Sequence, residues 1–222
     1  MNMITAHAGN LPSEIDGIWH TLRRTGARSV AFVSATAGEG TSTVAEALAH
    51  RAARAGASVL LAEANPSRPS LAVRFGVIDA PDTVHRVGAS SLGVMARPAA
   101  VEDAGLLRER LGVWQSDWDL VVLDAVPLLE SGMGGLVAAA AADATVLVVR
   151  AGHVAAMQLR AARERLGRVD ANLLGVVMND RDDPSLLSEL ERETHRLGRF
   201  MPGLAKALRK RLARAPLLAL RV

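Results

Sequence analysis

The sequence predicts an α/β fold: a doubly wound, mostly parallel β-sheet flanked by helices, in a single domain. Two observations carry this. Short apolar runs recur along the chain and are mostly continuous rather than alternating, as strands buried on both faces read. Between them lie segments with apolar residues at helical spacing and short links, the alternation from which wound sheets are built. With 222 residues, 50% of them hydrophobic and 22% charged, the chain can bury one sizeable core.

Taken in order, residues 1–12 read as a flexible lead-in. Strands are expected over residues 30–35, 58–62, 92–96, 120–124, 145–149 and 173–178, all apolar runs of strand length. The segment 43–55 places Val44, Leu48 and Ala52 at i, i+4 and i+8, and Gly56 suits its C-terminal stop. Residues 103–114 and 154–169 carry apolar stripes with Arg and Glu opposite. The α/β domain is expected over 13–200, with a basic amphipathic tail over 201–222.

In that tail Leu204, Leu208 and Leu212 make one row, Lys206, Lys210 and Arg214 a second, and Pro216 ends the pattern. A helix of this kind suits an anionic membrane surface, and it equally suits packing on its own domain. Residues 196–222 hold eight basic side chains and no acid; taking these from the net +3 leaves −5 for residues 1–195. Such asymmetry points to an acidic partner or surface. Nucleic acid is not expected: aromatic content is 3% and the basic cluster is confined to one short segment. The chain has no cysteine, which excludes disulfides and thiolate metal sites. The start does not read as a secretory signal. The longest apolar stretch, residues 136–142, falls far short of the roughly 20 residues that span a bilayer. A cytoplasmic protein, free or peripheral at the inner face of the membrane, is expected. His20, His50, His85, His153 and His195 share no metal-ligand spacing.

Residues 29–44, S-V-A-F-V-S-A-T-A-G-E-G-T-S-T-V, lay out a strand, a Gly-rich turn and a helix start. A phosphate-binding loop has this plan: glycines let successive N–H groups face an anion, and the helix N-terminus adds positive potential. Gly38 and Gly40 suit that geometry, and Ser42 has the hydroxyl that would face Mg²⁺, with Thr43 next. The pattern G-x-x-x-x-G-K-[ST] is missed twice, with Ala35 at its first glycine and Thr41 at its lysine. No lysine occurs before Lys206. Losing one charge-assisted hydrogen bond costs about 1.5–3 kcal/mol, on the order of ten- to a hundredfold in affinity. A Gly-rich turn with no ligand is the competing reading of this window.

Two further segments follow. Residues 59–71 read V-L-L-A-E-A-N-P-S-R-P-S-L, and residues 118–127 read W-D-L-V-V-L-D-A-V-P. Asp124, an acid at the carboxyl end of a buried strand, sits where a metal or water ligand belongs, or where a turn needs a cap. Arg68 and Arg74 are candidates for replacing the missing charge, or for ordinary surface pairing.

Together the three segments resemble the bacterial tyrosine-kinase family of capsule and exopolysaccharide synthesis, a branch of the deviant P-loop ATPases that includes the Min and Par proteins. The resemblance covers about residues 13–180. Ser34 to Thr43 matches S-x-x-x-G-E-G-K-S-T except at Thr41. Leu60, Leu61 and Pro69 match L-L-I-D-x-D-x-R-x-P, with Arg68 one place after its arginine and Glu63 and Asn65 in place of its aspartates. Asp119, Asp124 and Pro127 match D-x-V-I-I-D-x-P-P, with Val126 at the first proline. The assembly motif E-x-x-R-x-x-R falls on Gly17, His20 and Arg23, so its last arginine alone survives, and none of the 222 residues is a tyrosine.

The resemblance implies a P-loop NTPase-like domain that takes ATP or ADP with Mg²⁺, here weakly. It implies nucleotide contacts from Ala37, Gly38, Glu39, Gly40, Thr41, Ser42 and Thr43, and from Asn179, whose strand end lies near the adenine in the family. Ser42 and Asp124 would hold Mg²⁺; Asp124 and Glu63 are the candidates for any residual catalysis. The implied role is a regulatory component of exopolysaccharide, capsule or holdfast-like export, kinase-shaped, acting with a membrane polysaccharide co-polymerase. Two rivals stand beside it. One is a Min/Par-type positioning ATPase; the other is an active kinase or ATPase whose missing charge comes from Lys206 or Lys210 of a neighbouring subunit. The oligomeric state is left open.

Overall fold

The computed structural model describes residues 2–7, 11–65, 70–99, 102–130 and 133–180. Along the chain these form β1 (Asn2–His7), α1 (Leu11–Thr25), β2 (Ser29–Ser34), α2 (Thr41–Arg54), β3 (Val59–Ala64), α3 (Leu71–Phe75), β4 (His85–Arg86) and β5 (Leu92–Met95). There follow α4 (Ala104–Asp117), β6 (Leu120–Ala125), α5 (Gly134–Ala141), β7 (Ala144–Arg150), α6 (Ala156–Arg168) and β8 (Leu173–Asp180). The basic amphipathic tail expected over 201–222, Arg68 and Pro69 lie outside the described residues.

Among the described residues the sheet has eight strands in the order β1-β8-β7-β2-β6-β3-β5-β4. Every neighbouring pair is parallel except β4 with β5. The doubly wound, mostly parallel sheet that the apolar runs predict is therefore what forms.

The central strands are buried throughout, and their alternate residues face two separate core layers. Ala31, Val33, Leu60, Ala62, Val121 and Leu123 face one layer with Leu107, Leu111 and Trp114 of α4, α5 and Leu166 of α6. Val30, Phe32, Val59, Leu61, Leu120 and Val122 face the other, against Ile18 and Leu22 of α1 and Val44, Leu48 and Ala52 of α2. Both layers are dry, which is why the strands carry no polar alternation. Glu63 and Asp124 continue the second set by the period of two, so both point to the α2 side of the sheet.

The structure adds elements that the sequence reading did not expect, α3 and β4 among them. Within the expected lead-in, Asn2–His7 pairs in parallel with β8, from Asn2↔Gly175 to His7↔Asp180, and α1 starts at Leu11. An edge strand has one paired side and needs no continuous apolar run, so N-M-I-T-A-H gives little signal. Helix α5, G-G-L-V-A-A-A-A, is buried nearly all round and has no polar face to reveal a period. Helix α2 starts at Thr41 rather than residue 43, directly after Gly40.

Candidate functional site

The carboxyl ends of β2, β3 and β6 meet at one edge of the sheet, because β6 sits between β2 and β3. Strand order reverses around β2, whose neighbours are β6 and β7, and such a switch point leaves a crevice above the strand ends. A cavity of about 350 Å³ lies there. Its walls come from the β2–α2 loop and first turn of α2 (Ala37, Gly38, Gly40, Thr41, Ser42, Thr43), from Asn65 and Arg74, and from Asp124, Pro127 and Glu130.

The loop is built to expose backbone. Gly38 and Gly40 have φ of 84° and 88°, left-handed values that favour glycine. Gly40 is also pressed from behind: a Cβ there would stand 2.1 Å from Asn179 Nδ2. Asn179 is buried and its Nδ2 donates to the Glu39 carbonyl at 2.9 Å. Glu39 is fully buried; its carboxylate accepts from the Thr36 N–H, from Thr36 Oγ1 at 3.0 Å and from the Arg150 N–H at 3.3 Å. These two residues brace the loop, and neither is among the residues that line this cavity. Their side chains instead satisfy backbone groups that a tight loop would otherwise bury unpaired.

Glu63 and Asp124 are register partners on neighbouring strands, about 4.8 Å apart in such sheets. Both are buried. Glu63 Oε2 accepts from the Ser70 and Leu71 N–H groups at 2.7 and 2.9 Å, so its carboxylate caps the start of α3. Burial, then the adjacent Asp124 charge, pushes the Glu63 carboxyl up to about 7 against these donors. Burial pushes Asp124 up to about 6, opposed by a hydrogen bond from Ser42 and by the Arg74 charge. Glu63 Oε1 and Asp124 Oδ2 are buried without hydrogen-bond partners.

Asp124 and Ser42 both line the cavity and are hydrogen-bonded to each other, and Asp124 Oδ2 has no partner. Mg²⁺ takes oxygen ligands and keeps several waters, so one carboxylate and one hydroxyl fit its needs. Glu63, bound through its other oxygen to α3, is a cap before it is anything else; the sequence reading of it as a catalytic candidate missed this contact.

Two charged residues at the rim were unforeseen. After β6 the chain runs beside the end of β2, with Leu128 N–H donating to the Ser34 carbonyl and Leu129 N–H to the Ala35 carbonyl. This carries Glu130 to the loop, where Oε1 accepts the Ala37 N–H at 3.1 Å. A carboxylate thus occupies one donor of the anion-facing loop. Glu46, one turn along α2 from Ser42, holds Arg74 through Nε at 3.0 Å and through Nη2.

No family model matches the chain. The tyrosine-protein kinase YwqD of Bacillus subtilis (strain 168) is 27% identical over 171 residues, covering 68% of this chain and 72% of the relative. The chain is thus similar in sequence to a bacterial tyrosine kinase. Its fold is also that of the kinase domain of Escherichia coli tyrosine kinase ETK: TM-score 0.67, 20% identity, 78% of this chain and 74% of the other covered. Cobyrinic acid a,c-diamide synthase from Mycobacterium smegmatis, solved with bound ADP and magnesium, has a TM-score of 0.58 at 16% identity, covering 68% and 73%. In this chain the Gly38 and Gly40 backbone, Ser42 and Asp124 line one cavity, with Thr41 at the position where the phosphate-loop pattern has lysine. Among the described residues no helix is long and apolar enough to cross a membrane.

Proposed function

We propose that this chain is a kinase-shaped regulatory component of an exopolysaccharide, capsule or holdfast-like export system. It binds ATP or ADP with Mg²⁺ weakly, as a conformational ligand, and does not phosphorylate itself. One observation carries the reading. The cavity keeps the parts that bind phosphate through backbone and metal, and it lacks the loop cation that follows charge during phosphoryl transfer. Two carboxylates that the family writes as aspartates are Glu63 and Asn65 here, and Glu63 is spent on capping α3. The 222 residues contain no tyrosine to accept a phosphoryl group.

Ala37, Gly38 and Gly40 would offer N–H groups to the phosphates, while Ser42 and Asp124 would hold Mg²⁺. Bound Mg²⁺ would neutralise phosphate charge. The partner follows from the family resemblance: the cytoplasmic end of a membrane polysaccharide co-polymerase, with residues 203–222 at the anionic membrane surface.

Equilibrium titration with a fluorescent ATP analogue, with and without Mg²⁺, tests the nucleotide part. Micromolar or weaker Mg²⁺-dependent binding without phosphate release is expected. Tight binding with steady turnover would overturn the degenerate reading. Co-purification tests the partner: a tagged chain that brings down no membrane polysaccharide protein would count against it.

A further inference from the structure

The geometry points to Arg74 as the side chain that supplies the phosphate-facing charge Thr41 cannot, holding the β- and γ-phosphates of a nucleoside triphosphate from α3 instead of from the loop. This rests on the nucleotide reading above and names a contact within it.

Four observations support it. Arg74 is the one basic residue among the described residues that line the cavity. Two of the lining residues, Asp124 and Glu130, are acids, so a polyanion entering this cavity needs a cation from somewhere. Arg74 already acts on the metal end of the site, since its charge is felt at Asp124. Its present partner, Glu46, lies four residues beyond Ser42 on α2, and residues so spaced are neighbours about 5–6 Å apart on a helix face. The guanidinium is therefore parked one helical turn from the hydroxyl expected at the metal.

Moving it is cheap. Arg74 and Glu46 are partly exposed, at 36% and 28%. Such a pair is worth less than about a factor of five in an equilibrium constant. A charge-assisted bond to phosphate is worth roughly ten- to a hundredfold, so a triphosphate draws Arg74 off Glu46. A guanidinium also suits this task, because its planar fork meets two phosphate oxygens at once. Glu46 is left with His50, whose Nε2 lies 3.9 Å from Oε1.

The test is calorimetric titration of the whole chain with a non-hydrolysable ATP analogue, ADP and adenosine, each with Mg²⁺. Wild type is compared with Arg74→Gln, Arg74→Lys and the double variant Thr41→Lys/Arg74→Gln. Arg74→Gln is expected to weaken the triphosphate about ten- to a hundredfold while leaving adenosine affinity and melting temperature unchanged. Arg74→Lys should keep most of the affinity, and Thr41→Lys should restore it to the Arg74→Gln chain. Equal triphosphate affinity in wild type and Arg74→Gln would overturn the inference and leave the nucleotide reading intact. Wild type that binds none of the three ligands would overturn both.

Discussion

Replacing Glu63 by Gln should make the protein more stable at pH 8 than the wild type and flatten its dependence on pH. The carboxyl is buried on β3 beside Asp124 and is pushed from its ordinary 4.5 up to about 7. Below 4.5 it is neutral in both folded and unfolded chains. Between 4.5 and about 7 the folded protein keeps a proton that the unfolded chain has released. The stability carried by that proton is therefore full in acid and is lost as pH rises through about 7. Moving one carboxyl over that span corresponds to on the order of 3 kcal/mol, of which roughly 2–3 kcal/mol falls between pH 5 and pH 8.

Gln removes this term and keeps the cap: its amide oxygen can accept the Ser70 and Leu71 N–H groups as Glu63 Oε2 does. Its NH₂ can donate toward Asp124, whose Oδ2 has no partner. Urea unfolding at pH 5, 6, 7 and 8 for both proteins gives the comparison, in which groups remote from Glu63 cancel and the coupled Asp124 titrates with the pair. Wild type should lose roughly 2–3 kcal/mol more than Glu63→Gln between the two ends. Parallel stability curves across that range would refute the assignment of a proton to this buried pair.

Other perturbations probe the cavity separately. Thr41→Lys should raise ATP-analogue affinity about ten- to a hundredfold; if it alone also restored hydrolysis, the losses at Glu63 and Asn65 would matter less than argued here. Glu130→Gln should raise triphosphate affinity about tenfold, because it removes the carboxylate charge that repels phosphate beside the Ala37 N–H; unchanged affinity would show that Glu130 yields without cost. Gly40→Ala should destabilise the fold by about 1–3 kcal/mol, read by thermal melting, since φ is 88° and the new Cβ would strike Asn179. A melting temperature equal to wild type would mean the loop and Asn179 are free to shift.

Much of the site was legible because its parts are written in contiguous sequence. The strand, glycines and Ser42 of the loop lie within residues 34–43, and Asp124 ends an apolar run. What escaped depends on contacts across long separations. Glu130 reaches Ala37 across 93 residues because the chain after β6 runs beside β2. Asn179 meets the loop across 140 residues, where it donates to the Glu39 carbonyl. Arg74 could be suspected from its charge, but its clasp by Glu46 could not, since two helices set it.

The sequence by itself determined the class of fold, the sheet's central strands and a phosphate loop without its lysine, because each is a local pattern of burial or turn chemistry. The tertiary structure decided which side chains serve the cavity and which serve the fold. Glu39, Glu63 and Asn179 all read as site residues, yet each is bonded to backbone groups that burial would otherwise leave unpaired. That demand arises once distant strands and loops are packed together, and no window of sequence contains it.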